Sequence, residues 1–147
     1  MVSQGKSSAN KPRAVLFRGI ADARDWCEAA RATGTNLELW SFPGAASSIG
    51  PIWFEEIVRA ISDEFPDVSV TAVLDCGDEP GRALAALRQG VTIVALGGKP
   101  AARRKVAAIA EQAGATVVSR PRRVLDPRRP SGVETPLADL LTGRSRR

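Results

Sequence analysis

Short apolar runs alternate with longer segments of helical periodicity through most of this chain. The runs are rich in β-branched residues and are bounded by Gly, Pro, Asn or Asp, which is typical of strands. They cover residues 14–17, 37–42, 68–74, 91–96 and 116–118. The pattern therefore predicts five strands separated by four helices.

The four helical segments show apolar residues every three or four positions, as in Phe54, Ile57 and Ile61 of the second segment. Their predicted ends carry Asp as an N-terminal cap, Pro in the first turn, or Gly or Pro after the last turn. The pairs of start and stop residues are Asp22 and Gly34, Pro51 and Pro66, Asp78 and Gly90, and Pro100 and Gly114.

This alternation predicts an α/β fold with a parallel sheet and right-handed crossovers. Runs 68–74 and 91–96 are apolar at nearly every position, as central strands covered on both faces are. The run 37–42 contains Glu38 and Ser41, which favours an edge position. We therefore expect a three-layer αβα sandwich with a flavodoxin-like strand order of 2-1-3-4-5. The alternative is half of a (βα)8 barrel, which would need a second copy of the chain to close.

We expect one domain at 14–119, preceded by a disordered basic leader at 1–13. An Arg- and Pro-rich flexible tail would follow at 120–147. Within this tail, residues 136–142 have the spacing of a short helix, with Pro136 in its first turn and Gly143 after it. That helix has three open outcomes: docking on its own domain, binding in a partner's groove, or no fixed structure.

The composition excludes several classes of function. The chain has 147 residues, 44% of them hydrophobic, and contains no His and no Tyr. Without His there is no Ser-His or Cys-His nucleophile pair and no His-ligated metal, so we expect no metal site and no cofactor. Two Cys residues form no disulfide framework, and neither a signal peptide nor an apolar membrane span is present. We therefore predict a cytoplasmic protein that does not associate with membranes.

The net charge of +5 is divided unevenly along the chain. Residues 1–13 carry a charge of +3, residues 14–119 a charge of −3, and residues 120–147 a charge of +5. Basic arms can bind the phosphates of nucleic acid, but no aromatic residue lies among the tail arginines to stack on bases. We interpret the arms mainly as a source of solubility and do not favour nucleic acid as a partner.

Ligands of open α/β sheets bind at the carboxyl ends of the strands, and this rule selects the loops that hold candidate residues. After the fourth strand, Gly97 and Gly98 allow close backbone approach, and Lys99 and Arg103 supply positive charge near a helix start. The spacing is neither that of a P-loop nor that of the Rossmann fingerprint. This loop predicts a binding site for a phosphate or a carboxylate. The alternative is that the cations are fully solvated and bind no ligand.

Loops after the second and third strands supply further candidates. Asp75 at the third strand's end could act as a general base, as a magnesium ligand, or as a brace that hydrogen-bonds a neighbouring loop. A second carboxylate for magnesium is missing from the other strand ends. Asp78 is explained as a helix cap but could contact a ligand, and Cys76 is expected to be a buried, inert thiol. Ser47 and Ser48 lie in a long loop that could cover a ligand, although they lack the elbow motif of serine nucleophiles.

The order of elements, with Asp75 ending the third strand, resembles the receiver domain of bacterial response regulators. The resemblance implies that Asp75 is phosphorylated. In that family a Lys occupies the position at which this chain has Arg120. The first strand ends in FRGI without the family's acidic pair, and the fourth ends in LGG where the family has Ser or Thr. Phosphoryl transfer needs the metal that such a pair would hold, so we do not assign the family.

The sequence thus predicts a small binding or regulatory module without a complete catalytic constellation. Its partner would be a small anionic ligand or another protein, and homodimers are compatible with this reading. One alternative is an enzyme for a small phosphorylated substrate, with Asp75 as base and Lys99 and Arg103 as anion clamp. The other is a nucleic-acid accessory protein that uses its basic arms.

Overall fold

The computed structural model describes residues 11–128 and 136–143. The strands are β1 (Arg13–Phe17), β2 (Leu37–Ser41), β3 (Val70–Asp75), β4 (Ile93–Ala95) and β5 (Thr116–Val118). The helices are α1 (Ile20–Thr33), α2 (Ala45–Ser48), α3 (Pro51–Glu64), α4 (Pro80–Arg88), α5 (Pro100–Gln112) and α6 (Leu137–Thr142). The predicted α/β alternation is confirmed, and the short α2 within the loop after β2 is an addition to it.

The five strands form one parallel sheet in the order β1-β2-β3-β4-β5. Strand β2 pairs with β1 from Leu37 to Ser41 and with β3 from Leu37 to Trp40, so it lies inside the sheet. The predicted order 2-1-3-4-5, with the second strand at an edge, is therefore wrong. The observed order is the one that consecutive βα units adopt in a (βα)8 barrel. It also removes the topological part of the receiver-domain resemblance, because that family has the 2-1-3-4-5 order.

The prediction that β2 is an edge strand depended in part on the polar residue Glu38, which has a different role in the structure. Its side chain lies on the same face of β2 as that of Trp40, and its Oε1 accepts a hydrogen bond from Trp40 Nε1 at 2.6 Å. None of the helices in residues 11–128 and 136–143 packs on this face, and the Glu38 side chain stays partly exposed to water. An inner strand can therefore contain an acidic residue without being an edge strand.

All helices pack on the other face of the sheet. Right-handed crossovers between strands that are neighbours in both sequence and space place every helix on the same side. The buried residues of α1, α3, α4, α5 and α6 accordingly share one core with Val15, Leu39, Leu74 and Val94. The predicted three-layer sandwich is therefore wrong, and the fold has one layer of helices and one sheet.

The helix-free face is covered in part by the chain that follows β5, which we call the crossing segment (residues 119–126). Val124 packs with Trp40, Val73 and Ala95 on this face. Leu125 then pairs with β1 at the far edge of the sheet, where its N–H donates to Ala14 O at 2.9 Å and its carbonyl accepts from Leu16 N at 2.7 Å. The crossing segment thus connects the end of the last strand to the first strand.

Helix α6 returns the chain to the helical layer. Leu140 and Leu141 are buried in the main core, and the helix packs against α1. The predicted short helix at 136–142 thus has a counterpart in the structure. The division into a domain at 14–119 with a flexible leader and tail stays a prediction.

None of the helices within residues 11–128 and 136–143 has the length and apolar character that crossing a bilayer requires.

An ion pair fixes the end of the crossing segment to the end of β1. Arg18 donates two hydrogen bonds to Asp126, at 2.8 and 2.7 Å, and Asp126 Oδ1 also accepts from Arg128 N at 2.8 Å. Hydrogen bonding by the Arg18 guanidinium holds the pKa of Asp126 below its usual value, against the opposing effect of partial burial. About a third of each side chain remains exposed, so solvent screens the pair.

We predict that Asp126→Asn lowers the free energy of unfolding by no more than about 1 kcal/mol at pH 7. Because the pKa is lowered in the folded state, this stabilisation is present above the unfolded pKa and is lost as pH falls through the folded one. Urea unfolding from pH 7 to pH 3 should therefore show the wild type and variant converging in acid. Asp25→Asn, at an exposed position of α1, is the control, and a constant difference down to pH 3 would contradict the assignment.

Candidate functional site

Asp75 ends β3 and is buried, with 5% of its surface exposed. Its Oδ1 accepts hydrogen bonds from the backbone N–H groups of Gly44 at 2.9 Å and Gly77 at 2.8 Å. Its Oδ2 accepts from the Arg120 guanidinium at 2.7 Å. One carboxylate thereby joins the loop after β2, the loop after β3 and the crossing segment.

Ser41 at the end of β2 completes this arrangement. Its hydroxyl oxygen accepts a hydrogen bond from the backbone N–H of Asp75 at 2.8 Å, and its carbonyl accepts one from Arg120 at 3.3 Å. Ser41 is fully buried. Within the described residues, no buried side-chain nitrogen or oxygen lacks a hydrogen-bond partner, so the polar groups around Asp75 satisfy one another.

Arg120 is the central residue of the site that our sequence reasoning did not select. Its guanidinium carbon lies 5.5 Å from the centre of the Trp40 ring, so the cation contacts the aromatic face while it pairs with Asp75. Asp75 and Trp40 both face the helix-free side of the sheet, and the crossing segment brings Arg120 onto that side. The only sequence signal was its place in the receiver-domain resemblance, where the family has Lys.

The loop after β4 packs directly on the loop after β3. Gly97 N donates to Gly77 O at 2.9 Å, and a Cβ atom at Gly97 would lie 2.5 Å from Asp78 Oδ1. Gly98 has a φ of +82°, which side chains rarely tolerate. Close packing against Asp78 thus accounts for Gly97, and the positive φ accounts for Gly98, whether or not an anion binds there.

The two predicted cations of this loop have different environments. Arg103 donates from Nε to Leu96 O at 2.7 Å and from its NH2 group to Ser119 Oγ at 2.6 Å, which ties the ends of β4 and β5 together. Lys99 is exposed at the start of α5 and, within the part of the chain that the structure describes, forms no ion pair. Of the predicted anion clamp, Lys99 is the member with a side chain open to solvent.

Ser47 and Ser48 both lie in α2 and are exposed. The Ser48 hydroxyl donates to Gly44 O at 3.3 Å, within its own turn. Their loop is attached to the rest of the site through Gly44, whose N–H donates to Asp75. The structure thus brings together the loops that follow β2, β3, β4 and β5. Ser47 and Ser48 lie on the surface of this group of loops.

Cys76 is buried beside Asp75, and burial raises the pKa of its thiol to about 12, with further contributions from the charges of Asp75 and Glu79. Burial similarly raises the pKa of the Cys27 thiol in α1 to about 11. At neutral pH both groups are thiols rather than thiolates. Neither has the environment of a nucleophilic cysteine, which needs a lowered pKa.

The polar groups at the strand ends hydrogen-bond one another and so hold the loops together. In residues 11–128 and 136–143, no three acidic, Cys or His side chains cluster in a way that could hold a metal ion. Asp75 lies where a general base would act, but both of its oxygens already accept hydrogen bonds. What remains open to a ligand is the exposed group formed by Lys99, Gly97 and Gly98.

Comparison with known proteins adds no family or relative to this description, since no protein-family model and no curated protein matches the chain.

We predict that Asp75→Asn lowers the free energy of unfolding by about 2–4 kcal/mol, because it leaves Arg120 without its charged partner in a mostly buried setting. Urea denaturation monitored by circular dichroism measures the change. Asp78→Asn is the matched control, since Asp78 is exposed in the same loop and should change stability by less than about 0.5 kcal/mol. Equal stability of both variants would show that Asp75 is not a brace.

We also predict that neither thiol of the native protein reacts with a disulfide reagent at pH 8 on the timescale of minutes. Burial and the raised pKa values leave almost no thiolate at that pH. After unfolding in urea, the reagent should titrate both cysteines, which provides the internal control. Rapid reaction of one thiol in the folded protein would contradict this description of Cys76 or Cys27.

Proposed function

We propose that this protein is a binding or regulatory module rather than an enzyme. The observation that carries the proposal is the environment of Asp75, the only buried carboxylate among the described residues. It accepts three hydrogen bonds from three separate segments, each between 2.7 and 2.9 Å. A general base must instead have an oxygen available to the proton that it removes.

The contacts of Arg103 support the same proposal. As an anion clamp in an enzyme, it would have to release its hydrogen bonds to Leu96 and Ser119, which hold two strand ends together. Asp75 would likewise have to release Gly44, Gly77 or Arg120. The enzyme alternative, with Asp75 as base and Lys99 and Arg103 as clamp, thus breaks several contacts before any substrate binds.

The ligand of the proposed module is a small anion that carries phosphate or carboxylate groups. Positively charged side chains with unused donors support this class, because charge-assisted hydrogen bonds to oxyanions are stronger than neutral ones. Lys99 is one such side chain at the strand ends. Protein partners and a cytoplasmic location remain part of the proposal, whereas the nucleic-acid alternative rests on the basic arms alone.

The proposal is tested by a thermal-shift screen of the full chain against phosphate, pyrophosphate, nucleotides and dicarboxylates at low salt. A true ligand at about ten times its Kd should raise the melting temperature by about 3–5 °C. The Asp75→Asn variant should start from a lower melting temperature but show the same increase, because Asp75 does not contact the ligand.

A phosphate-release assay with the same phosphorylated compounds distinguishes the enzyme. We expect no release above the buffer rate from the wild type. Release by the wild type that is lost in Asp75→Asn would establish the enzyme alternative instead. If none of the anions shifts the melting temperature, the small-anion form of the proposal is wrong.

A further inference from the structure

A cavity of about 640 Å³ lies beside the start of β1, whereas Asp75 lies at the carboxyl end of the central strand β3. Its lining includes three basic side chains, Lys11, Arg13 and Arg123, and one acidic side chain, Asp139. The first residues of β1, the crossing segment and α6 each contribute to the wall. No predicted site residue belongs to this cavity, since all of them lie in loops at the other ends of the strands.

The wall of the cavity is held in place by hydrogen bonds between these three elements. Leu125 is paired with Ala14 and Leu16 of β1, which positions the neighbouring Arg123 at the cavity. The Arg13 guanidinium donates to Leu140 O at 3.3 Å near the end of α6. A cation at a helix C-terminus is favourable, so this contact stabilises α6 and fixes one donor of Arg13.

The charge of the cavity is positive even after every charged group of its described lining is counted. Lys11 and Arg123 are exposed, Arg13 and Asp139 are half-buried, and the net charge is +2. Within the described residues, none of these four groups forms an ion pair with another residue. Arg13 retains most of its five N–H donors, and the Arg123 side chain donates no hydrogen bond to any residue that the structure describes.

The charge at the cavity differs in sign from that of most of the chain. The charged side chains of the lining sum to +2, while residues 14–119 have a net charge of −3. Summed charge of one sign attracts ligands of the opposite sign and raises their rate of association. The positive charge of the cavity lining therefore favours an anionic ligand.

We propose that the cavity binds a small molecule carrying two or more phosphate groups. A guanidinium group can donate two parallel hydrogen bonds to phosphate oxygens. Two phosphate groups carry a charge of about −3 to −4 at pH 7, and the net charge of +2 in the cavity neutralises part of it. The volume lies in the range of small-molecule sites. This inference rests on the proposed function, a module for small anions, and assigns to the ligand a binding place separate from Lys99.

Isothermal titration calorimetry of the full chain with inorganic tripolyphosphate at low salt tests the inference. Arg123→Ala should weaken binding about tenfold, the cost of one charge-assisted contact to phosphate. Arg122→Ala is the matched control, because it removes the same charge from the adjacent position, which does not line the cavity. Asp139→Asn should tighten binding about two- to fivefold, because it removes a nearby like charge from the ligand's surroundings.

Five outcomes would overturn the inference. If Arg122→Ala and Arg123→Ala weaken tripolyphosphate binding equally, or Asp139→Asn does not tighten it, the cavity is not the site. If an unlabelled 20-base-pair RNA duplex binds far more tightly than tripolyphosphate and with equal sensitivity to both Arg variants, the arms bind nucleic acid diffusely. If tripolyphosphate does not bind but another anion of the thermal-shift panel does, this ligand class is wrong while the proposed function stands; if no anion binds, both fail.

Discussion

The hydrogen-bonded ion pair between Asp75 and Arg120 determines how the helix-free face of the sheet is organised. A buried carboxylate without a cation is strongly unfavourable, so the chain after β5 must pass over the end of β3 to supply one. This path places the Arg120 guanidinium on Trp40 and carries the chain on to Leu125, which pairs with β1. The same carboxylate positions Gly44 and Gly77, so three loops take their conformation from one side chain.

The sequence predicted the kinds of elements and their order along the chain, but not the order of strands in the sheet. Hydrophobic periodicity depends on which faces of each element are buried, and it contains no direct information on which strand lies beside which. The predicted strand order depends on Glu38 and Ser41, two polar residues that favour an edge position. The real environment of Glu38, a helix-free face and the Trp40 indole, depends on all helices packing on one side.

The sequence likewise predicted one residue of the candidate site but not the residue that pairs with it. Asp75 was selected because it ends a buried strand, and its function as a brace was one of the interpretations left open. Its partner Arg120 lies 45 positions away in sequence, among other arginines of the tail, and no local pattern distinguishes it from them. Lys11 and Arg123 are likewise distant in sequence, and only the pairing of Leu125 with β1 shows that they share a cavity.

The pairing of Val15 with Leu125 also has a consequence for the nascent chain. During synthesis, β1 leaves the ribosome early, yet the backbone groups on its outer side acquire their partner only after all five strands have been made. Exposed strand edges readily pair with other chains, and partly folded species are the ones that aggregate. A polypeptide truncated shortly after β5 would keep this edge open permanently, so its solubility would be lost before its secondary structure.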